Sequence, residues 1–392
     1  MAPLNGINVV TVEQAVSAPF ATRQLADLGA RVIKIERRET GDFSRAYDNT
    51  VNGMASSFVW LNRSKESLTL DLKHPRASAI LMQLIERADV FVQNLAPGAM
   101  KRLGLSSESL LRRFPRLIVC DISGYGDTGP YRDKKAYDLL IQGESGLMSI
   151  TGTSDTPAKA GNSIADISAG MYAFSGILAA LLERAKTGNG GRVEVSMFEA
   201  LCEWMMFPLY YANCGRMPFR RSGPYHAAIF PYGPFQTSDG KAVIIGIQNE
   251  REWNIFCERV LRQPELASDL RFNSNSQRVA NRESLTTIIR KVFSELSIMD
   301  LLRLLDANAI ANSQMNDLQD VWNHPQLAFR KRWCMVDSPA GPVPALLPPG
   351  IPCGIKARFD AIPALGAHVD SILTELGYSR SQIDQLKSER VV

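Results

Sequence analysis

The chain has 392 residues, which is too long for one small hydrophobic core, so two domains are expected. Its composition, 45% hydrophobic and 21% charged, is typical of a soluble globular enzyme. The net charge of +4 is too small to indicate a nucleic-acid partner, although it suits a pocket that binds a few phosphates.

Signals for secretion or membrane insertion are not apparent in the sequence. The first residues lack a basic region followed by an apolar run, and no stretch approaches the length of a membrane span. The six cysteines are widely spaced and form no CxxC pair, which predicts reduced thiols. We therefore expect a cytoplasmic protein without a membrane partner.

The N-terminal half alternates between β-branched runs and stretches with apolar residues at helical spacing. Strands are predicted at 7–12, 31–36, 67–72, 89–93, 117–122 and 192–196, and helices at 18–29, 76–87 and 106–114. This alternation predicts an α/β fold with a mostly parallel sheet. Ligands of such sheets bind beyond the carboxyl ends of the strands, so loops 14–19, 36–41, 94–98 and 124–130 should line one crevice.

A long helix is predicted to begin near Asp166 and to end at Lys186-Thr187-Gly188. Its small side chains should allow very close packing; they are Ala169, Gly170, Ala173, Ser175, Gly176, Ala179 and Ala180. An anion at a helix N-terminus faces free backbone N–H groups and the positive end of the helix dipole. This position would favour an ionised, nucleophilic Asp166. Alternatively, Asp166 or Ser168 only caps the helix.

The second half of the chain has a different composition. After a predicted apolar helix at 197–212, residues 216–234 form a linker or binding loop rich in proline, glycine and arginine. A hairpin around 238–240, helices at 251–261, 278–296 and 299–308, and strands at 331–336 and 343–347 follow. Helices at 365–376 and 379–386 should return to the first domain. The predicted domains are residues 1–215 with 348–392, and residues 235–347.

Other motifs are less specific. Residues 124–129 match G-x-G-x-x-G, but they follow a late strand and open no amphipathic helix, so a loop near a ligand is favoured over dinucleotide binding. The four histidines are isolated and have no carboxylate at metal-ligand spacing. Four cations near predicted strand ends either converge on phosphates or are solvated surface charges; they are Arg37, Lys73, Arg102 and Lys135.

Several segments, taken in order, resemble the class III CoA-transferases, the family of formyl-CoA transferase and carnitine CoA-transferase. These segments are QAVSAPF from residue 14, LGARVIKIE from 28, LDLK from 70, NLAPG from 94, SGYGDTGP from 123, AYD from 136, DISAG from 166, KTG from 186 and LGAH from 365. Together they span essentially the whole chain. They favour a catalytic role for Asp166 over a cap.

The resemblance implies a large Rossmann-like domain with a parallel sheet built from both chain ends and a smaller inserted α+β domain. It also implies a homodimer of two interlocked chains. The substrates would be an acyl-CoA and a small carboxylic acid, and no cofactor would be bound permanently. In the family, the aspartate matching Asp166 attacks the acyl-CoA thioester, and the resulting anhydride is opened by CoA to an aspartyl-CoA thioester. An incoming carboxylate then takes over the CoA.

The resemblance also implies roles for other residues. Arg37, Lys73, Arg102 and Lys135 would bind the nucleotide and phosphates of CoA. Asn94 and Leu95 would hold the CoA chain, and Tyr137 would lie near the reacting carboxylate. Gln14, Val16 and Leu70 complete the implied CoA site.

Two features narrow the activity. Where this chain has Ala136-Tyr137-Asp138, the sequences of the α-methylacyl-CoA racemases, which share the fold, resemble Gly-His-Asp. Tyrosine is a poor proton shuttle near neutral pH, so this difference favours CoA transfer over racemisation. The segment SGPYHAAIFPY from residue 222 is similar to branches that act on dicarboxylates, rather than on formate or oxalate. In it His226, together with Arg221, would meet a distal carboxylate, or the segment is a packed loop. The alternatives are a racemase and a non-catalytic acyl-CoA-binding subunit; the sequence specifies neither the donor nor the acceptor.

Overall fold

The computed structural model describes residues 1–215 and 218–392, and this part of the chain forms two compact units. The first unit contains Met1–Ser145, Ala160–Met206 and Leu327–Val392; the second contains Gly146–Lys159 and Phe207–Gln326. Segment 146–159 thus belongs with the second unit and 327–347 with the first, whereas the predicted domains have the reverse assignment. The predicted linker, 216–234, begins with Arg216 and Met217, which lie outside the described residues.

The first unit contains a six-stranded parallel sheet. Its strands are β1 Asn8–Val12, β2 Arg31–Glu36, β3 Lys65–Thr69, β4 Val90–Gln93, β5 Ile118–Ser123 and β6 Gly191–Ser196. Their spatial order is β3-β2-β1-β4-β5-β6, which is that of a dinucleotide-binding doubly wound sheet. The predicted parallel α/β sheet is confirmed. The expectation that both chain ends supply its strands is wrong, because all six lie between residues 8 and 196.

The helices surround this sheet and build most of the second unit. They are α1 Ser17–Asp27, α2 Ser56–Leu61, α3 Pro75–Glu86, α4 Ala99–Arg102, α5 Ser107–Arg113, α6 Asp138–Glu144, α7 Leu147–Ile150, α8 Ile164–Thr187, α9 Met197–Trp204, α10 Met206–Asn213, α11 Glu250–Ile255, α12 Asn275–Ala280, α13 Arg282–Phe293, α14 Ile298–Ala307, α15 Leu318–Trp322, α16 Pro325–Phe329, α17 Val369–Glu375 and α18 Arg380–Ser388. Short 3-10 turns lie at Phe43–Ala46 and Pro264–Ala267, and a π turn at Phe256–Val260.

The C-terminal helices pack on the sheet, although they add no strand to it. Ile372 of α17 and Leu386 of α18 are buried with Ile33 and Phe91 of the strands in one apolar core. The hairpin of β10 Trp333–Val336 and β11 Val343–Leu346 belongs to the same unit, and it confirms the two strands predicted there.

The long helix α8 packs through its glycines. A Cβ on Gly170 would lie 2.7 Å from the carbonyl oxygen of Ser17 in α1, and one on Gly176 would lie 2.7 Å from Val193 Cγ1 in β6. The predicted close packing is therefore confirmed. Gly188, with φ +79°, ends the helix as predicted.

The same helix corrects one expectation about membranes. By length and composition alone α8 could cross a membrane, because its most apolar window has a mean hydropathy of 1.5. The expectation that no stretch approaches such a length is wrong. Core helices of soluble proteins pass the same test, so this finding is weak support for a membrane span.

The second unit contains an antiparallel sheet of β7 Tyr232–Gln236, β8 Ala242–Gly246 and β9 Ala311–Gln314. The hairpin predicted around Gly240, which has φ +75°, is confirmed. The sheet and its helices enclose a core of large aromatic side chains, among them Trp253, Phe256 and Phe293.

Candidate active site

Asp166 is the third residue of α8, and the start of that helix is capped from elsewhere in the chain. One carboxylate oxygen of Asp138 accepts hydrogen bonds from the backbone N–H groups of Ala165 (2.8 Å) and Asp166 (3.3 Å). Ser163, at the N-cap position, makes no capping bond with its side chain. Ser168 donates to the carbonyl oxygen of Ala165 instead of capping. Neither predicted cap is therefore correct, because Asp138 occupies the free N–H groups.

The carboxyl group of Asp166 is not held in its ionised form. Burial above all, and next the negative charge of Asp138, raise its pKa to about 7. Hydrogen bonds from the hydroxyl and backbone N–H of Ser17 act in the opposite direction. The expectation that the helix N-terminus favours the ionised form is therefore wrong. The favourable end of the helix stabilises Asp138, whose charge then opposes ionisation of Asp166.

Ser17 reaches Asp166 because α1 and α8 approach closely at Gly170. Ser17 is the first residue of α1 and is 3% exposed. Its hydroxyl oxygen accepts a hydrogen bond from Asn94 Nδ2 at 3.0 Å. A hydroxyl that accepts from an amide has its own proton free to donate. The hydroxyl proton of Ser17 is thus left available, and the Ser17 hydroxyl and backbone N–H lower the pKa of Asp166.

Hydrogen bonds between Gln14 and Asn94 connect the loops that follow the two central strands, β1 and β4. The last residues of β1 and β4 are paired, so the loops that follow start side by side. The backbone N–H of Gln14 donates to Asn94 Oδ1 (2.8 Å), and Asn94 Nδ2 donates to the carbonyl oxygen of Gln14 (2.9 Å). In this sheet order the crevice between β1 and β4 is the topological switch point, where ligands bind.

The side chains of several implied CoA-binding residues already have partners in the protein. Gln14 Oε1 accepts from the backbone N–H of Phe43 at 3.0 Å, and Val16 and Leu70 are buried. Leu95 is half-buried against the apolar core. Contacts from these residues to CoA remain a prediction.

Tyr47 lies near the carboxyl group of Asp166, and Tyr137, the residue before Asp138, lies near Tyr47. Tyr137, which precedes α6, is 72% exposed. Burial and the charges of Asp42 and Asp166 raise the pKa of Tyr47, with a smaller contribution from Tyr137. Tyr47 is 57% exposed and was not predicted. It follows the loop 36–41 that was expected to line the crevice, but no spacing in the sequence relates it to Asp166.

Four buried charges lie beneath the loop that contains Gln14 and Ser17. Lys34 Nζ contacts Asp42 (2.5 Å) and Glu13 (3.2 Å), and Lys65 Nζ contacts Glu13 (2.7 Å). All four side chains are fully buried, two acidic and two basic. Although burial favours its neutral form, Lys65 and Lys34 hold the pKa of Glu13 at about 2. Asp42 also accepts from the backbone N–H of Ala15 (2.9 Å), which has φ +61°, so this cluster supports the loop.

The four predicted phosphate-binding cations all lie on the surface. Arg37, Lys73, Arg102 and Lys135 are exposed, and none of them has an ion pair within 4.0 Å in the described part of the chain. Arg37 lies over the ring of Phe43, with Cζ 4.5 Å from the centroid. A Cβ on Gly98 would lie 3.0 Å from Arg102 Nη1, so that guanidinium group folds back on its own loop.

Gly124, the first glycine of the loop 124–130, has a packing role. A Cβ on Gly124 would lie 2.3 Å from Ala136 Cβ, so only glycine allows the segment before Tyr137 to approach. The next helix, α6, begins only at Asp138. In a dinucleotide fingerprint the glycine-rich loop opens a helix directly, so this loop does not fit one. Across residues 1–215 and 218–392, no group of three His, Cys, Asp or Glu side chains is arranged to hold a metal ion.

The two residues predicted to read a distal carboxylate lie in the second unit. Arg221 donates from Nε and Nη2 to the carbonyl oxygens of Thr153 and Ser154, both at 2.8 Å. The ring of His226 stacks on Tyr232, and its Nδ1 accepts from the backbone N–H of Ala228 at 3.1 Å. Burial and the charge of Arg282 lower the pKa of His226, so its neutral ring carries the proton on Nε2. Substrate contacts of both residues stay a prediction.

Comparisons with known proteins point to one family. A family model described as CoA-transferase family III matches residues 4–369. The chain is 33% identical over its full length to succinyl-CoA:glutarate CoA-transferase of Mus musculus, of which it covers 91%. It is 36% identical to acetyl-CoA:oxalate CoA-transferase of Acetobacter aceti, over 84% of each chain. The crystal structure of a CAIB/BAIF family protein from Brucella suis has a TM-score of 0.84 and 33% identity, over 96% of this chain and 99% of that one. This chain therefore belongs to CoA-transferase family III, the family that its sequence motifs resemble.

Proposed function

We propose that this protein transfers CoA from succinyl-CoA, or a similar thioester, to a small dicarboxylate, with Asp166 as the nucleophile. The observation that carries this proposal is the position of Asp166 in the family-III chain. It lies at the start of a tightly packed helix and beside Ser17, whose hydroxyl and backbone N–H partly offset the rise in its pKa that burial causes. The names of similar proteins, which include a succinyl-CoA:glutarate CoA-transferase, support this substrate class.

In the first half of the proposed reaction, an oxygen of Asp166 attacks the carbonyl carbon of the thioester. A C–O bond forms, the C–S bond breaks and CoA leaves as a thiolate. The thiolate then attacks the aspartyl carbonyl of the mixed anhydride. This step releases the donor acid as a carboxylate and leaves an aspartyl-CoA thioester.

In the second half, a carboxylate oxygen of the acceptor attacks the aspartyl thioester and displaces CoA thiolate. The thiolate attacks the acceptor carbonyl of the new anhydride and regenerates Asp166. Every step exchanges one acyl bond for another, so the activation of the thioester is conserved. Water would hydrolyse the anhydrides, so the site has to exclude it.

The environment of Asp166 suits these steps. A pKa of about 7 leaves a substantial ionised fraction near neutral pH and gives a more basic oxygen than an ordinary aspartate. When the aspartyl carbonyl is attacked, its oxygen gains negative charge. In the proposed mechanism the hydroxyl and N–H of Ser17, which lower the pKa of Asp166, would stabilise that charge as an oxyanion hole does.

Acceptor identity is the least constrained part of the proposal. The similar proteins named above act on glutarate and on oxalate, two dicarboxylates of different length. We propose an acceptor longer than oxalate because the segment from Ser222 to Tyr232 resembles that of the longer-acid branches. In it the ring of His226 offers Nε2–H as a neutral donor.

A homodimer is also proposed. On the first unit, α8 and α9 expose large apolar side chains: Tyr172 (38%), Leu182 (66%) and Trp204 (45%). A contiguous patch of such side chains would be typical of an association surface. Light scattering of the purified protein would give twice the chain mass if the proposal is correct.

A panel of dicarboxylates offered with succinyl-CoA tests the function directly. Mass spectrometry of the CoA esters should show a new dicarboxylate thioester with the wild-type protein and none with Asp166→Ala. Because a pKa near 7 would also suit proton transfer, the same assay is run in deuterated water with a 2-methylacyl-CoA. Deuterium at the α-carbon without acyl exchange would contradict the proposal and indicate a racemase.

A further inference from the structure

Residues 390–392 lie between two loops at one edge of the parallel sheet. Arg38, in the loop after β2, donates from Nη1 to the carbonyl oxygen of Arg390 (2.7 Å) and from Nε to that of Val392 (3.2 Å). Asp71, in the loop after β3, donates its backbone N–H to the carbonyl oxygen of Val391 (2.9 Å). One short segment therefore bonds to both loops.

The segment is itself fixed to the core. The side chain of Val391 is fully buried in the core that contains α17 and α18. Its backbone N–H donates to the carbonyl oxygen of Leu386 at 2.9 Å. Arg390, which has φ +59°, also forms an ion pair with Glu39 in the loop after β2. Both loops are thus attached to a rigid part of the first unit.

The two loops carry predicted CoA-binding cations. Arg37 immediately precedes Arg38, and the backbone N–H of Lys73 donates to Asp71 Oδ1 at 3.1 Å. β2 and β3 are paired and parallel, with Glu36 opposite Thr69, so both cations follow adjacent strand ends. Arg37 and Lys73 are exposed. Arg38 and Asp71, which lie in the same two loops, are hydrogen-bonded to residues 390–392.

We propose that residues 390–392 act as a latch that fixes the loops bearing Arg37 and Lys73 in the arrangement that binds the nucleotide end of CoA. A site whose charged groups are already in place loses less entropy when a phosphate-bearing ligand binds. In the part of the chain that the structure describes, the recorded polar contacts of residues 390–392 go to the loops after β2 and β3 and to α18, not to Asp166. The latch therefore affects recognition of the nucleotide but not the chemistry at Asp166. This inference rests on the proposed function, which assigns Arg37 and Lys73 to CoA.

The test compares two variants of the latch with a matched control. The first variant lacks Arg390, Val391 and Val392. The second, Arg38→Met, keeps these residues and removes the guanidinium group that donates to them. The control is Arg380→Met, in α18, whose guanidinium pairs with Asp370 and Asp384 and bonds to neither loop. Titration calorimetry measures the Kd of CoA. The kcat/KM for succinyl-pantetheine, which lacks the nucleotide, shows whether the rest of the site still functions.

Both latch variants should weaken CoA binding by about tenfold. Their kcat/KM with succinyl-pantetheine should stay within about twofold of wild type, and the control should match wild type in both assays. An unchanged Kd for CoA in Arg38→Met would overturn the latch. An equal loss with succinyl-pantetheine would also overturn it, since this indicates general damage. If the wild-type protein binds CoA but does not use succinyl-CoA, the donor assignment fails, and the Kd values still decide the latch.

Discussion

The carboxylate of Asp138 accepts a hydrogen bond from the backbone N–H of Asp166 at 3.3 Å, and its charge helps to raise the pKa of the Asp166 carboxyl group. The two acids thus have different roles at the same helix start. Asp138 uses the favourable end of α8, while Asp166, partly removed from water, is left with a proton affinity close to neutral pH. In the proposed mechanism, these environments give Asp138 a structural role and Asp166 the chemical one.

Asp138→Asn should therefore shift the pH dependence of transfer. Since the nucleophile is the ionised form, kcat/KM should rise with pH through the pKa of Asp166, which is about 7. Asparagine keeps an oxygen for the two N–H groups but removes the negative charge, so the midpoint should fall by about one unit. The measurement is kcat/KM for the CoA donor between about pH 5 and 9.

The exposed Asp133, changed to Asn, is the matched control and should leave the midpoint where it is. An unshifted midpoint in Asp138→Asn would show that Asp138 does not influence Asp166 electrostatically. Some loss of stability is also expected, about 1–3 kcal/mol, because the new amide places a donor against Gln142 Nε2.

Gly170→Ala should lower the transfer rate more than its cost in stability suggests. The added Cβ would lie 2.7 Å from Ser17 O and 2.9 Å from Phe20 Cδ1, so α1 has to move away from α8. Overpacking of this kind costs about 1–3 kcal/mol. Displacement of Ser17 removes donors from Asp166, and kcat should fall by about tenfold or more.

Gly176→Ala is the control for this prediction. It adds the same atom to the same helix, 2.7 Å from Val193 Cγ1 and away from Ser17. Urea unfolding and steady-state kinetics should show a similar loss of stability but a kcat near wild type. If the two variants lose kcat equally, the contact of Ser17 with Asp166 is not what Gly170 provides.

The buried cluster beneath the site should behave as a charge-balanced unit. Lys34→Met leaves Asp42 without its ammonium partner in a dry interior and should cost about 3–5 kcal/mol. Asp42→Asn alone leaves an excess positive charge. The double variant restores balance, with Glu13 and Lys65 still paired.

A double-mutant cycle by urea unfolding measures this balance. The double variant should be more stable than the sum of the two single losses predicts, by about 1–3 kcal/mol. Additive losses would mean that Lys34 and Asp42 do not stabilise each other. The corresponding transfer rates would show whether the loop containing Ala15 keeps its position.

Much of the fold was predictable because it depends on local patterns. The strands at 31–36 and 89–93 alternate with helices, and each pattern was found within a few residues of its predicted bounds. β9, with the sequence Ala-Asn-Ser-Gln, was missed because it is short and polar. The helix predicted over 278–296 is divided at Asn281, which lies between α12 and α13 with φ −105° and ψ 29°.

The site was less predictable because its properties depend on contacts across the chain. The motif around Asp166 predicts a nucleophile, but the sign of its pKa shift depends on burial and on Asp138, which spacing does not show. Tyr47 has no sequence pattern that relates it to Asp166. The contact of Ser17 with Asp166 depends on Gly170, which the stripe of small residues suggested only in general terms.

The central claim is that Asp166 carries the acyl group and then CoA during transfer. The most direct test is to incubate the protein with succinyl-CoA and hydroxylamine, and to map the product by peptide mass spectrometry. Hydroxylamine attacks an aspartyl anhydride or thioester, so a hydroxamate should appear at Asp166 in the wild-type protein and be absent from Asp166→Asn. CoA transfer that proceeds with no hydroxamate at Asp166, or with one at another residue, would contradict the claim.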